Sequence, residues 1–212
     1  MNRPSRPQRG SVILVIGLVG LARPAAAAPR PSLRIVLQVP DDDSIRPNVV
    51  SRAKAEMSRI YRDAGIDIVW TREAPDPQLT LTILSRELTD QLTVVTTALG
   101  GAVGTREYRG RRAYVFYNRV ERVARTYLNT SRRRATHDTD NVIVLAHAMA
   151  HEIGHLLLPY GHWATGLMRA DWDAKDIRLS VHGRLNFTSE QAELIRTRLL
   201  ALLADTPSLD SK

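Results

Sequence analysis

Apolar and polar residues alternate over residues 32–39 (SLRIVLQV), 66–71 (IDIVWT) and 79–84 (LTLTIL), the period of strands that bury one face. Between the first two, Val49, Val50, Ala53, Met57, Ile60, Tyr61 and Ala64 recur at helical spacing after Pro47, and Gly65 follows as a C-cap. This predicts a helix over 47–64 that crosses over so that the second strand can pair with the first. Residues 112–117 (RAYVFY) predict a further strand, at the edge of the sheet, and then a helical turn or two over 118–127. Residues 92–98 suit either a strand or a short helix. The glycines of 100–105 (GGAVGT) predict a loop whose backbone passes close to a neighbouring strand or a substrate. A polar loop is expected over 128–139. After it a long helix, N-capped by Asp140 or Asn141, is almost wholly apolar over 142–150 (VIVLAHAMA) and so is expected to be buried on most sides. Thr188 or Ser189 caps a last helix to about residue 204, with Leu194, Ile195, Leu199, Leu202 and Leu203 as its buried stripe. The predicted class is α+β: a twisted mixed sheet of about four to five strands with a crossover helix, a central helix and a C-terminal helix.

The central helix carries the chemistry. His151, Glu152 and His155 stand in an H-E-x-x-H arrangement, which places two imidazoles one turn apart on one helical face, within reach of a single metal ion. The intervening Glu152 is placed to act as general base on a metal-activated water. Catalytic zinc sites take three protein ligands. Pro159 ends the helix and Gly161 allows a sharp turn back, so His162 is the candidate third ligand. His147 lies a further turn up the axis and reads as a packing or supporting histidine. Asp171, Asp173 and Asp176 are alternative ligands whose expected role is capping or ion pairing. Glu190 and Glu193 are more distant alternatives, and His182 is a candidate for steadying a developing oxyanion.

Composition narrows this picture. The 212 residues include no cysteine, which excludes disulfides, thiolate catalysis and cysteine zinc fingers, so any metal must sit on histidine or carboxylate. The formal charge of +8 suggests a polyanionic partner, but Arg3, Arg6, Arg9 and Arg23 fall in residues 1–28, which hold no acid, and without them it is +4. That segment has a basic start, an apolar run over 12–21 too short to span a bilayer, and the alanines 25–28. It reads as a signal peptide cleaved after Ala27. The expected mature chain is one domain, 29–212, exported to a periplasm or the outside of a bacterium, without stable membrane insertion and monomeric. Arg109, Arg111, Arg112 and Arg132–Arg134 lack interleaved aromatics, which speaks for a solvated patch and against nucleic acid. The glycines of 100–104 do not follow the dinucleotide order G-x-G-x-x-G, and the acidic run 41–43 lacks the calcium-loop pattern.

With these residues in view, the segment 147–168 resembles the zincin metallopeptidases, and most closely the metzincin clan, whose motif is H-E-x-x-H-x-x-G-x-x-H followed by a methionine turn. The resemblance implies one zinc ion on His151, His155 and His162, Glu152 as general base, and Met168, in Gly166-Leu167-Met168, as the turn methionine beneath the metal. His162 comes one residue later than the clan's third histidine, Leu158 stands where the clan has glycine, and the methionine follows after only six residues. The predicted order of strands and helices is similar to a zincin upper subdomain. The activity implied is secreted zinc-dependent hydrolysis of peptide or protein substrates. A non-catalytic exported zinc protein on the same scaffold and a zinc amidase acting on cell-wall peptides are the alternatives.

Overall fold

A computed structural model of the chain describes residues 33–40, 45–74, 77–91, 98–104, 109–128, 134–159 and 161–204. The leader-like segment 1–28, the acidic run 41–43, most of 92–98 and the arginines at 132 and 133 lie outside these residues. So do the side chains of Arg109, Arg134 and His137. The described residues form an α+β fold with five strands in one mixed sheet and six helices. No helix among them is long and apolar enough to cross a membrane.

The strands are β1 (Leu33–Gln38), β2 (Ile66–Thr71), β3 (Leu79–Leu84), β4 (Gly100–Gly104) and β5 (Arg109–Phe116), in the order β2-β1-β3-β5-β4. The first four in that order are parallel neighbours, and β4 closes the edge antiparallel to β5. Alternation works as the sequence predicts. Ile35 and Leu37 of β1, Leu79, Leu81 and Ile83 of β3, and Ala113 and Val115 of β5 are buried, while Arg34, Gln38, Thr80, Thr82 and Arg112 between them stay more exposed. Helix α1 (Pro47–Asp63) makes the β1-to-β2 crossover and buries Val49, Ala53, Met57, Ile60 and Tyr61. Gly65, with φ of +81°, turns the chain directly into β2.

Helix α4 (Arg134–Leu157) packs against α1 and beneath β3, β5 and β4, so it lies at the centre of the core. From Val144 to Ala150 it is buried on all sides. The Tyr61 hydroxyl on α1 donates to the carbonyl of Ala150 at 3.2 Å, locking the two helices together just before the H-E-x-x-H segment. The remaining helices are α2 (Arg86–Gln91), α3 (Tyr117–Tyr127), α5 (Ala174–Val181) and α6 (Ser189–Ala204). Thr188 caps α6 reciprocally: its Oγ1 accepts from the N–H of Gln191, whose Oε1 accepts from the N–H of Thr188.

Four expectations are corrected. Residues 100–104 are a strand rather than a loop; their glycines mark a close approach, described below. The strand over 109–116 is therefore interior, and the edge belongs to β4. The central helix begins at Arg134, a turn and a half before Asp140. In this added segment Asp138 pairs with Arg46 and Thr139 accepts a hydrogen bond from Arg52, which accounts for polar residues there. Finally Leu203, expected in the buried stripe of α6, is exposed, whereas Ile195 and Leu199 are buried as predicted.

Candidate metal centre

Helix α4 presents His151 and His155 on one face, with His151 buried and His155 half-buried. The helix stops at Leu157. Pro159 follows, and Gly161 adopts φ of +108°, a conformation that disfavours any other residue, which returns the chain toward the helix and delivers His162. The ligand nitrogens of His151, His155 and His162 lie within 4.8 Å of one another, so these three residues could hold a metal ion. Their ring centroids are 4.7 Å (151 to 155), 5.4 Å (151 to 162) and 4.8 Å (155 to 162) apart. His162 is exposed, and so closes the group from the solvent side.

The donor chemistry fits a cation. His151 Nδ1 lies 2.8 Å from the carbonyl of Leu167, which can only accept, so Nδ1 carries the proton and Nε2 keeps its lone pair. That lone pair faces His155 Nε2 at 3.0 Å. Either the Nε2–H of a neutral His155 or a metal ion shared by the two nitrogens satisfies this contact. A second proton on either ring is disfavoured. Burial, opposed by the Leu167 carbonyl and helped by His162, lowers His151 to about 4. Burial, with His151 and His162 adding to it, lowers His155 to about 3. Both imidazoles are thus neutral at pH 7, the form that binds metal.

Glu152 reaches toward β4 at the sheet edge, against Gly100. It is buried at 5% exposure, and burial raises its carboxyl to about 8. Gly100 of β4 makes this position possible. A side-chain carbon there would lie 2.6 Å from Cγ and 2.8 Å from Cδ of Glu152, and closer still to the Tyr114 carbonyl oxygen of β5, whereas one on Gly101 would meet nothing within 4 Å. Arg119 of α3 anchors the approach to this strand by donating to the carbonyl of Ala98 at 2.8 Å while stacking over Phe116.

Met168 lies under the helix. It is fully buried, and its Sδ occupies the space that a side chain on Gly154 would need, at 2.5 Å from the position of such a carbon. Gly166, with φ of +76°, forms the preceding turn, and the carbonyl of Met168 accepts from the N–H of Trp163 at 2.9 Å. Met168 is therefore packed against α4 at Gly154, the residue before His155.

A cavity of about 720 Å³ opens beside these residues. His151, Glu152, His155 and His162 line it, together with Gly100 to Val103 of β4 and with Val123 and Tyr127 of α3. Asp171 lines it too. Asp173 and Asp176 are spent elsewhere, in the capping box of α5 and in ion pairs with Arg169, as the capping expectation has it. His182 is an exposed C-cap of α5 that does not line the cavity, so the oxyanion role expected of it has no support. Glu190 and Glu193 are exposed, Glu193 pairs with Arg196, and neither lines the cavity, which removes them as ligands. Trp172 also lines the cavity, and Gly100 and this tryptophan are the residues that sequence reasoning did not place at the site. The glycine-rich run was a visible signal for the first, and nothing in the residue pattern singled out the second.

His147 is fully buried, with Nδ1 donating to the carbonyl of Ile143 at 2.8 Å, and it stands apart from the three converging imidazoles. Burial lowers it from 6.5 to about 4. Between these values the unfolded chain binds a proton that the folded chain refuses, so stability present above pH 6.5 is lost as pH falls toward 4. The loss reaches about 2 kcal/mol at pH 5. Urea denaturation at pH 7 and pH 5 should therefore show a steeper acid loss for the wild type than for His147→Gln. Parallel losses would contradict the assignment of a neutral, unprotonated His147.

Comparison with protein-family models gives no matching model, and comparison with curated proteins gives no significant match.

Proposed function

We propose that the chain is a zinc-dependent peptidase of zincin-like, metzincin-type architecture, with His151, His155 and His162 as zinc ligands, Glu152 as general base and Met168 as the turn methionine. One observation carries the reading: three imidazoles converge beside a cavity that they line together with a buried carboxyl. Nitrogen ligands without thiolates suit zinc, and three of them leave a coordination position open, which is the pattern of a catalytic rather than a structural site. When bound, zinc supplies a Lewis acid for the scissile carbonyl and brings the pKa of water down towards about 7.

The protein's own groups account for the other steps. His151 is held in its ligating tautomer by Leu167. Glu152, pressed against Gly100, accepts a proton from water and returns it to the leaving amine. Its carboxyl is raised by burial, and a cation beside it favours the ionised form that a base requires. The outer edge of β4 borders the cavity, and an extended peptide would lie there by strand addition, in place of the expected site on 112–117. The pattern of residues 1–28 supports an exported enzyme.

Digestion of a peptide library by metal-depleted and by zinc-restored protein tests the proposal. Cleavage is expected only after zinc is restored. Zinc uptake at one ion per chain with no cleavage would turn the reading to a non-catalytic zinc protein. Cleavage confined to cell-wall peptides would turn it to an amidase.

A further inference from the structure

Trp172 occupies a position that cavity lining alone does not explain. Its indole Nε1–H donates to the carbonyl of Leu167 at 3.1 Å, the same oxygen that accepts from His151 Nδ1 at 2.8 Å. The indole ring also stands edge-on to His151, with centroids 5.5 Å apart, and edge-on to His147 at 6.5 Å. A carbonyl has two lone pairs, and here both are used, one by the imidazole and one by the indole.

The backbone around Trp172 is fixed independently. Asp173, the next residue, is the N-cap of α5: its Oδ1 accepts from the N–H groups of Lys175 at 2.7 Å and Asp176 at 3.1 Å, and its own N–H donates to Asp176 at 3.1 Å. Arg169 donates to the same Asp176 carboxylate at 2.5 Å, which closes residues 169–176 into a ring of contacts. The Leu167 N–H donates to Asn186 at 3.0 Å, so the peptide on the other side of the shared carbonyl's residue is held as well.

The geometry points to Trp172 as a positioning residue for the metal site: its indole N–H fixes the direction of the Leu167 carbonyl, and through that carbonyl the ring plane and tautomer of His151. This rests on the reading of His151, His155 and His162 as metal ligands. Outer partners of a ligating histidine change metal affinity by about 10–100-fold when removed. Trp172 acts one bond further out, so the lower end of that range is expected.

Zinc affinity of the metal-free chain, measured by competition with a chromophoric chelator, tests this without recourse to activity. Trp172→Phe keeps an aromatic ring against His151 and deletes only the donor; its affinity is expected to fall about tenfold. Trp70→Phe, which removes an indole bond to Ser58 on β2 and α1, serves as the control and is expected to leave affinity unchanged. Equal affinity in the wild type and Trp172→Phe overturns the inference alone. No zinc uptake by the wild type overturns both it and the metal reading. Should Trp172→Phe not fold, the wild-type indole N–H resonance answers instead. Slow solvent exchange and displacement of that signal on adding zinc support the role, and rapid exchange with no displacement overturns it.

Discussion

Glu152→Gln is expected to retain one zinc ion per chain and to lose peptide turnover by roughly 10²- to 10⁴-fold, the usual contribution of a positioned acid–base group. Glutamine is the informative replacement because the site is tight. The space that a side chain on Gly100 would take is filled by Cγ and Cδ of Glu152, so an amide of the same shape preserves the packing of β4 on α4 while removing the ability to accept a proton. Stability gives a second readout. Burial raises the Glu152 carboxyl from 4.5 to about 8, so between these values the metal-free fold keeps a proton that the unfolded chain has released, and the wild type loses stability as pH rises through that window, with no further loss above it. The variant, which has no such proton to keep, should accordingly lose less stability than the wild type from pH 5 to pH 8. Turnover that survives in Glu152→Gln would remove Glu152 from the mechanism, whatever the metal content.

His162→Ala should abolish stoichiometric zinc binding at micromolar metal while leaving the metal-free fold untouched. The contrast arises from exposure. His162 is on the surface, and alanine there opens no cavity, whereas alanine at buried His151 would confound ligation with packing. Loss of one of three ligands should weaken zinc beyond the 10–100-fold of an outer partner. Metal analysis after dialysis, beside the melting temperature of the metal-free chain, checks both halves. Full zinc occupancy in His162→Ala would shift the third ligand to another group, with Asp171 the cavity-lining carboxylate to examine next.

Much of this could be read from the residues, for physical reasons that differ by element. β1, α1, β2 and β3 were legible because each buries one face, and burial on one face writes a period into the sequence. His162 was legible because Pro159 and Gly161 are backbone instructions: one stops a helix and the other permits φ of +108°. β4 was not legible, since Gly100, Gly101 and Gly104 have no side chains to carry an alternation, and the reasons for glycine at 100 are contacts with the Tyr114 carbonyl of β5 and with Glu152, both distant in the sequence. The same holds for Asp138 and Thr139 in the opening of α4, whose partners are Arg46, the N-cap of α1, and Arg52 on that helix. The edge strand was misplaced as a direct consequence of the missing β4. Trp172 stayed silent because its partner is a main-chain carbonyl, and any residue type could have supplied that.

The turn that carries His162 and Met168 is held by contacts that involve no metal. Leu167 is bound through its N–H to Asn186 and through its carbonyl to His151 and Trp172, Met168 accepts from Trp163, and its sulfur fills the recess at Gly154. Small zinc modules behave differently: their ligands meet only when the ion gathers them, and they unfold when it leaves. On the proposed zinc reading, a turn tied by such contacts would gain from the ion by mass action, about 2.7 kcal/mol at a hundredfold excess over its Kd. Folding and metal loading would then be separable events, and removing the ion would leave the fold standing, which the melting temperature of the metal-depleted chain checks.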